Sequence, residues 1–260
     1  MSPGPAPVLP SAFRLVALER VESTNDAARA LAQDGAADVA LVWALEQTKG
    51  RGRQGRSWAS PRGNLYCSLV LRPDCALARA SELSFVAALA VGGALEELAP
   101  PGAELRYKWP NDVLLNGRKT AGILLESAQL AGGALDFLIL GVGVNLTSSP
   151  GDAAFPATSL SEAGGQVVEP PRALEALARH FLAWRGRWLA DGFAPVRAGW
   201  LARAWRLGQT LELGLGGETL AGRFRGVGPD GTLELELPGG ALRRVAAGDV
   251  RQARPGAGRG

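Results

Sequence analysis

GRGRQGRSWASPRGNLYCSLVLR, Gly50 to Arg72, joins a cationic, glycine-rich loop to an apolar run. Lys49, Arg51, Arg53 and Arg56 carry like charge on a segment with glycine at 50, 52 and 55. Glycine loses the most entropy on ordering, and the guanidinium groups repel one another. Such a loop is expected to close over an anion. Arginine grips phosphate and carboxylate with a planar fork of donors, and glycines let backbone N–H groups come close. Gly50-x-Gly52-x-x-Gly55 also matches a dinucleotide-binding fingerprint, but that motif needs a helix to open at the loop. Here Ser60-Pro61-Arg62-Gly63-Asn64 follows, then LYCSLVLR, which reads as a strand. A doubly wound nucleotide fold is therefore excluded.

Upstream, VALVWALEQ, Val39 to Gln47, is a buried strand that feeds the loop, with LYCSLVLR as its neighbour. Phe13 to Val21 reads as a strand, and Ser23-Thr24-Asn25-Asp26 opens a short helix that stops near Gly35. Capping needs only one of Ser23 and Thr24. Downstream, Ser81 to about Leu98 is a buried helix. LRYKW, VLLN, TAGILLES and ALDFLILGVGVNL then follow as four strands, with Asn116-Gly117 as a hairpin turn. Four strands without a helix imply an antiparallel portion of sheet. Two helices are expected over Arg172 to Asp191 and Pro195 to Trp205. From Gly208, short alternating strands separated by Gly216-Gly217, Pro229-Asp230-Gly231 and Pro238-Gly239-Gly240 read as a small barrel.

The chain has 260 residues and 47% hydrophobic content, enough for one good core and a small second one. A net charge of +3 falls short of a dedicated nucleic-acid binder. Cys67, Cys75 and the lone His180 make neither a disulfide framework nor a zinc site, so a reducing cytoplasm is the default. No apolar segment is long enough for a membrane helix, and the N-terminus does not read as a signal peptide.

KWPNDV, Lys108 to Val113, is the second chemical stretch. Pro110 interrupts regular pairing and turns its neighbours outward. Asn111 can read a base edge or ribose, and Asp112 could hold Mg²⁺ or accept a proton. Lys119 enters an apolar strand, where it either serves an anion or snorkels to solvent. Gly141-x-Gly143-x-Asn145 suggests close backbone approach by a ligand, or simple strand crowding.

Taken in order, Ser23-Thr24-Asn25, Gln47, GRGRQGR, Trp58, KWPNDV, GRKTAGILLE and GVGVNL resemble the biotin–protein ligase family. The match runs from Ser23 to about Leu160, with a weaker match in the barrel. Gln54 departs from it, standing where arginine is frequent. The resemblance implies an α+β fold, a mixed β-sheet flanked by helices of the class II aminoacyl-tRNA synthetase/biotin ligase type, with a small C-terminal SH3-like β-barrel. The expected divisions are a flexible tail 1–12, a catalytic domain 13–206, the barrel 207–253 and a disordered tail 254–260. About a dozen residues precede the first strand, too few for a winged helix, so the monofunctional, non-DNA-binding type is expected.

The activity implied is ATP-dependent formation of biotinyl-5′-AMP and transfer of biotin to a lysine of a biotin carboxyl carrier protein, with Mg²⁺ accompanying ATP. By resemblance, biotin would meet Ser23, Thr24, Asn25, Gln47, Gly50, Arg51, Gly52, Arg53, Trp58, Tyr66, Lys119 and Gly122. The adenylate would meet Arg53, Arg56, Trp58, Lys108, Asn111, Lys119 and Asn145. Lys119, Arg51, Lys108 and Asp112 are the expected catalytic set, with Asp112 the Mg²⁺ contact or the group orienting the incoming lysine. Homodimers are common in the family, and GVGVNL is the expected edge. Two other readings compete. A lipoate-type ligase has no use for the polar Ser-Thr-Asn and Gln pair. A nucleic-acid-binding module would not place Glu212, Glu218, Glu234 and Glu236 on its barrel.

Overall fold

The structure, a computed structural model, describes residues 6–76, 79–129, 134–215 and 218–252. Seven strands form the main sheet: β1 (Arg14–Leu18), β2 (Ala40–Ala44), β3 (Leu65–Leu71), β4 (Leu105–Lys108), β5 (Asp112–Leu115), β6 (Arg118–Gln129) and β7 (Leu135–Val144). Their order is β1-β2-β3-β7-β6-β5-β4. Only β1 and β2 run parallel; the other neighbours are antiparallel. The expected mixed sheet and its hairpin succession are both present.

Helix α1 (Thr24–Gln33) covers one face through a small core of Ala28, Ala32, Val42, Val70 and Ile139. The opposite face carries the large core, against α2 (Glu82–Leu98), α3 (Pro170–Asp191) and α4 (Phe193–Leu201). Strands β2 and β3 are buried on both faces, which is why they read as unbroken apolar runs. Residues 6–12 are not free of the body: Val8 N donates to Glu175 Oε1 at 2.7 Å and Leu9 packs on the core. Residues 1–5, the Gly216-Gly217 turn and the expected tail 254–260 lie outside the described residues.

The C-terminal unit is a five-stranded antiparallel sheet, with β8 (Thr210–Leu215), β9 (Glu218–Val227), β10 (Leu233–Glu236), β11 (Leu242–Val245) and β12 (Asp249–Gln252) in the order β11-β10-β9-β8-β12. Its core is continuous with that of the larger domain, through Leu211, Phe224 and Leu235. Trp109 Nε1 donates to Gly231 O at 3.2 Å, and Phe85 packs beside the same glycine. These contacts fix the smaller sheet over one end of the larger one.

One expectation fails on topology. GVGVNL cannot be a dimer edge, because β7 is hydrogen-bonded to β3 on one side and β6 on the other. The outer strands are β1 and β4, and β4 is itself bridged to Ala204 through Tyr107.

Candidate active site

A cavity of about 910 Å³ opens at the ends of β4 to β7, between the arginine loop, the start of α1 and residues 150–157. That size lies in the upper part of the range for small-molecule sites, about 300–1,000 Å³.

One end is a polar network. Ser23 is the N-cap of α1 and Thr24 its first residue, yet Ser23 makes no capping bond with its side chain. Instead Ser23 Oγ accepts from Arg51 Nη1 at 3.2 Å, and Thr24 Oγ1 donates to Gln47 Oε1 at 3.0 Å. Gln47 Nε2 donates to Ser60 Oγ at 2.9 Å, and Ser60 Oγ donates to the Trp58 carbonyl at 2.9 Å. Both ends of the loop are thus tied to the residues expected to bind biotin. Behind them, Ser68 Oγ donates to Asn25 Oδ1 at 2.6 Å.

The other end is a buried charge cluster. Lys108 and Asp112 face each other across the β4–β5 hairpin, 3.1 Å apart, and Lys119 Nζ lies 2.6 Å from Asp112 Oδ1. Burial opposes the charge of Asp112, but Lys119 and then Lys108 outweigh it and hold the carboxyl below its ordinary range. Lys119 Nζ also sits 5.2 Å above the Trp58 ring.

Between the two ends lies the Trp58 indole, pressed flat onto β6 and β7. A Cβ on Gly143 would stand 2.6 Å from Trp58 Nε1, and one on Gly122 would stand 3.0 Å from Trp58 Cζ3. The glycines of GVGVNL therefore admit the chain's own side chains, Trp58 at Gly143 and Asn25 at Gly141.

The loop carries its charge differently from the expectation of mutual repulsion. Arg51 is gripped by Asp26 at 2.6 and 2.7 Å and by Glu126 at 3.2 Å. The hydrogen bond to Asp26 raises the Arg51 pKa and lowers that of Asp26. Arg56 reaches Asp249 of β12 at 2.9 Å. Arg53 forms no ion pair among the described residues; its Nη1 donates to Gly248 O at 3.3 Å, and burial lowers its pKa. Gln54 takes a left-handed conformation (φ 56°) in the turn between them.

Ser23, Thr24, Asn25, Gln47, Arg51, Gly52, Arg53, Arg56, Trp58, Lys108, Asn111, Asp112, Lys119, Gly122 and Asn145 all line this one cavity. Two expected residues do not. Tyr66 is buried with its hydroxyl donating to Pro61 O at 2.8 Å, so its ring packs away from the ligand space. Gly50 is sealed beneath the loop, where a Cβ would meet Ser60 Oγ and Trp58 O at 2.5 Å. Asn111 and Asn145 each donate one amide N–H, to the carbonyls of Ile123 and Thr158 at 2.6 and 3.2 Å.

Asp112 is not suited to holding Mg²⁺. Its carboxylate is already neutralised by two ammonium groups, and no cluster of three His, Cys, Asp or Glu occurs among the described residues. Sequence reasoning missed Asp26, Glu126, Ser68 and Asp249. Asp26 reads as an ordinary acid in a helix's first turn, and Asp249 lies far away in the chain.

A sequence profile of the biotin/lipoate A/B protein ligase family matches residues 9–202, and one of the biotin protein ligase C-terminal domain matches residues 207–251. The chain is 44% identical to a biotin–[acetyl-CoA-carboxylase] ligase of Paracoccus denitrificans, covering 86% of this chain and 94% of that one. It is 35% identical to the bifunctional ligase/repressor of Bacillus subtilis, covering 88% and 71%. Among solved structures it resembles the biotin protein ligase of Aquifex aeolicus in complex with biotin and ATP, with TM-score 0.79 and 28% identity, covering 92% of this chain and 99% of that one. It also resembles the Leishmania major enzyme in complex with biotinyl-5-AMP, with TM-score 0.56 and 27% identity, covering 90% and 99%.

Proposed function

The chain belongs to the biotin/lipoate A/B protein ligase family, and from that premise we propose that it is a biotin–[acetyl-CoA-carboxylase] ligase. It activates biotin with ATP and transfers it to a lysine of an acceptor protein. The observation that carries this reading is the cavity itself: a polar amide-and-hydroxyl end and a cationic end, joined by one indole.

The two steps follow from that arrangement. Gln47, Thr24 and Ser23 offer both donors and acceptors, which suits the ureido ring of biotin and gives nothing to an acid without one. Its apolar rings lie along Trp58 and the Gly122–Leu124 strand. The biotin carboxylate then points to Lys119, and one of its oxygens attacks the α-phosphorus of ATP. The bond from that phosphorus to the bridging oxygen breaks, pyrophosphate leaves, and biotinyl-5′-AMP remains. Two anions must be brought together for this, so cations aimed at the developing charge are the main lever. Lys119 and Lys108 are held in place by Asp112, and Arg53 is the loop cation without an ion pair among the described residues. In the second step the neutral acceptor amine attacks the acyl carbon, the bond from that carbon to the phosphate oxygen breaks, AMP leaves, and the nitrogen sheds its proton to solvent. Asp112 stays anionic between Lys108 and Lys119, and we assign it to positioning those two lysines.

The acceptor we propose is a biotin carboxyl carrier domain. Magnesium would come with the nucleotide phosphates, since no cluster of three His, Cys, Asp or Glu among the described residues forms a site for it. We place the reaction in the cytoplasm, in keeping with two free thiols, Cys67 and Cys75. No helix among the described residues is long and apolar enough to cross a membrane. A homodimer built by strand addition would use β1 and not GVGVNL.

Pyrophosphate release with ATP and either biotin or lipoate separates this reading from its sibling. Biotin alone should support release. Release with lipoate and none with biotin would overturn the assignment.

A further inference from the structure

Glu126 stands on β6 behind the cavity wall and does not line it. Its carboxylate is a junction. Oε2 accepts from Asn25 Nδ2 at 2.8 Å and from Arg51 Nη2 at 3.2 Å, while Oε1 accepts from Arg51 Nε and Nη2, each at 3.3 Å. Arg29 Nη2 lies 3.6 Å from Oε2. Asn25 is itself fixed: Ser68 donates to its Oδ1, and a Cβ on Gly141 would stand 2.2 Å from that oxygen. Arg51 is clasped by Asp26 through its two Nη atoms. Glu126 adds the contact to Nε, so the guanidinium is held on a second edge.

We infer that Glu126 is a positioning residue: it fixes the Arg51 guanidinium and the Asn25 amide in one geometry, and so sets the arginine loop and the biotin end of the cavity together. The loop has three glycines and no apolar side chain from Gly50 to Ser57, so polar contacts hold it, those of Glu126 beside those of Asp26 and Asp249. Arg51 Nη1 also donates to Ser23 Oγ, so a guanidinium that drifts takes a pocket hydroxyl's partner with it. Coupling between two sites is reciprocal, so a loop that orders the pocket is ordered by whatever fills it. The ligand-binding half of this inference rests on the ligase reading; the loop-fixing half does not.

The test uses the full chain. Glu126→Gln keeps the size and the acceptor for Asn25 but removes the charge facing Arg51. Trypsin cleavage of the unliganded protein between Lys49 and Arg56 should rise by about fivefold or more, with other sites unchanged, and KM for biotin should rise by a similar factor while KM for ATP stays within about twofold. In an Arg51→Gln background, the further Glu126→Gln change should shift either readout by no more than about twofold. Unchanged loop cleavage and biotin KM in Glu126→Gln would overturn the inference. So would an equal effect in the Arg51→Gln background, which would mean Glu126 acts elsewhere. Should Glu126→Gln not fold, Glu126→Asp carries the same measurements, because it keeps the charge and withdraws it from Nε. Faster loop cleavage then supports the inference, and wild-type cleavage overturns it. If the wild-type protein makes no adenylate, the ligase reading fails, while the cleavage comparison still decides whether Glu126 fixes the loop.

Discussion

Replacing Gly143 by alanine adds one methyl group to β7 and aims it at the Trp58 indole. The new Cβ would stand 2.6, 2.7 and 2.9 Å from Nε1, Cε2 and Cζ2 of that ring. Ordinary carbon contacts need about 3.5–4.0 Å, so the indole must retreat by about 1 Å. The ring lies across Gly143 and its cross-strand partner Gly122, so a methyl rising from β7 pushes it off the sheet. It must therefore move into the cavity, taking up the space proposed for the rings of biotin. A displacement of about 1 Å at a reacting site costs on the order of 100-fold, so kcat/KM for biotin should fall by roughly 10- to 100-fold. Stability should change little by comparison, since the ring yields toward open space and the usual overpacking cost of about 1–3 kcal/mol is largely relieved. Steady-state pyrophosphate release at varied biotin, beside a thermal melt, measures both. Wild-type biotin kinetics in a folded Gly143→Ala protein would mean that Trp58 is not a wall of the biotin site.

Other expectations are as direct. Asp112→Asn leaves the buried Lys108 and the half-buried Lys119 without a counter-charge, which should cost about 3–5 kcal/mol and lower Tm on the order of 10 °C. Because the Asp112 pKa is lower folded than unfolded, its stabilisation is fully present above the ordinary carboxylate value, about 3.9, and is lost as pH falls through the lower folded value. Acid melts of the wild type should steepen below that pH, and those of Asp112→Asn should be flatter there. Arg53→Gly removes the loop cation with no carboxylate partner among the described residues, so biotinyl-5′-AMP should escape and label a bystander protein mixed with biotin and ATP. An unlabelled bystander with normal acceptor labelling would assign retention to another group. Gly186→Ala, in the interior of α3 with nothing within 4 Å of the added Cβ, should gain about 0.5–1 kcal/mol and raise Tm by about 1–4 °C without touching activity.

Much of this was legible because chemistry and local pattern agree. The loop, KWPNDV and Lys119 stand out by charge in apolar surroundings, and Asn116-Gly117 marks a hairpin at the expected place, with both residues at positive φ. What was hidden is non-local. Nothing in GVGVNL tells that β7 lies between β3 and β6, so an interior strand reads as an edge. Tyr66 and Ser68 belong to a strand buried on both faces, where alternation cannot say which side meets a ligand. Ser68 holds Asn25 from below, and Tyr66 packs away from the cavity. The loop's cations suggest repulsion until the fold brings Asp26, Glu126 and Asp249 to them from three separate elements. The last strand, Asp249–Gln252, is too short and polar to announce itself, yet its first residue reaches the site.

A cavity that joins biotin to the α-phosphate of ATP must form the mixed anhydride before any acceptor arrives. Incubating the purified protein with biotin and ATP in the absence of an acceptor, and reading the bound small molecules by mass spectrometry, tests it in one step. Biotinyl-5′-AMP is expected with an equal amount of pyrophosphate, lost or strongly reduced in Lys119→Gln. ATP consumed to ADP, or biotin recovered unmodified beside intact ATP, would contradict it.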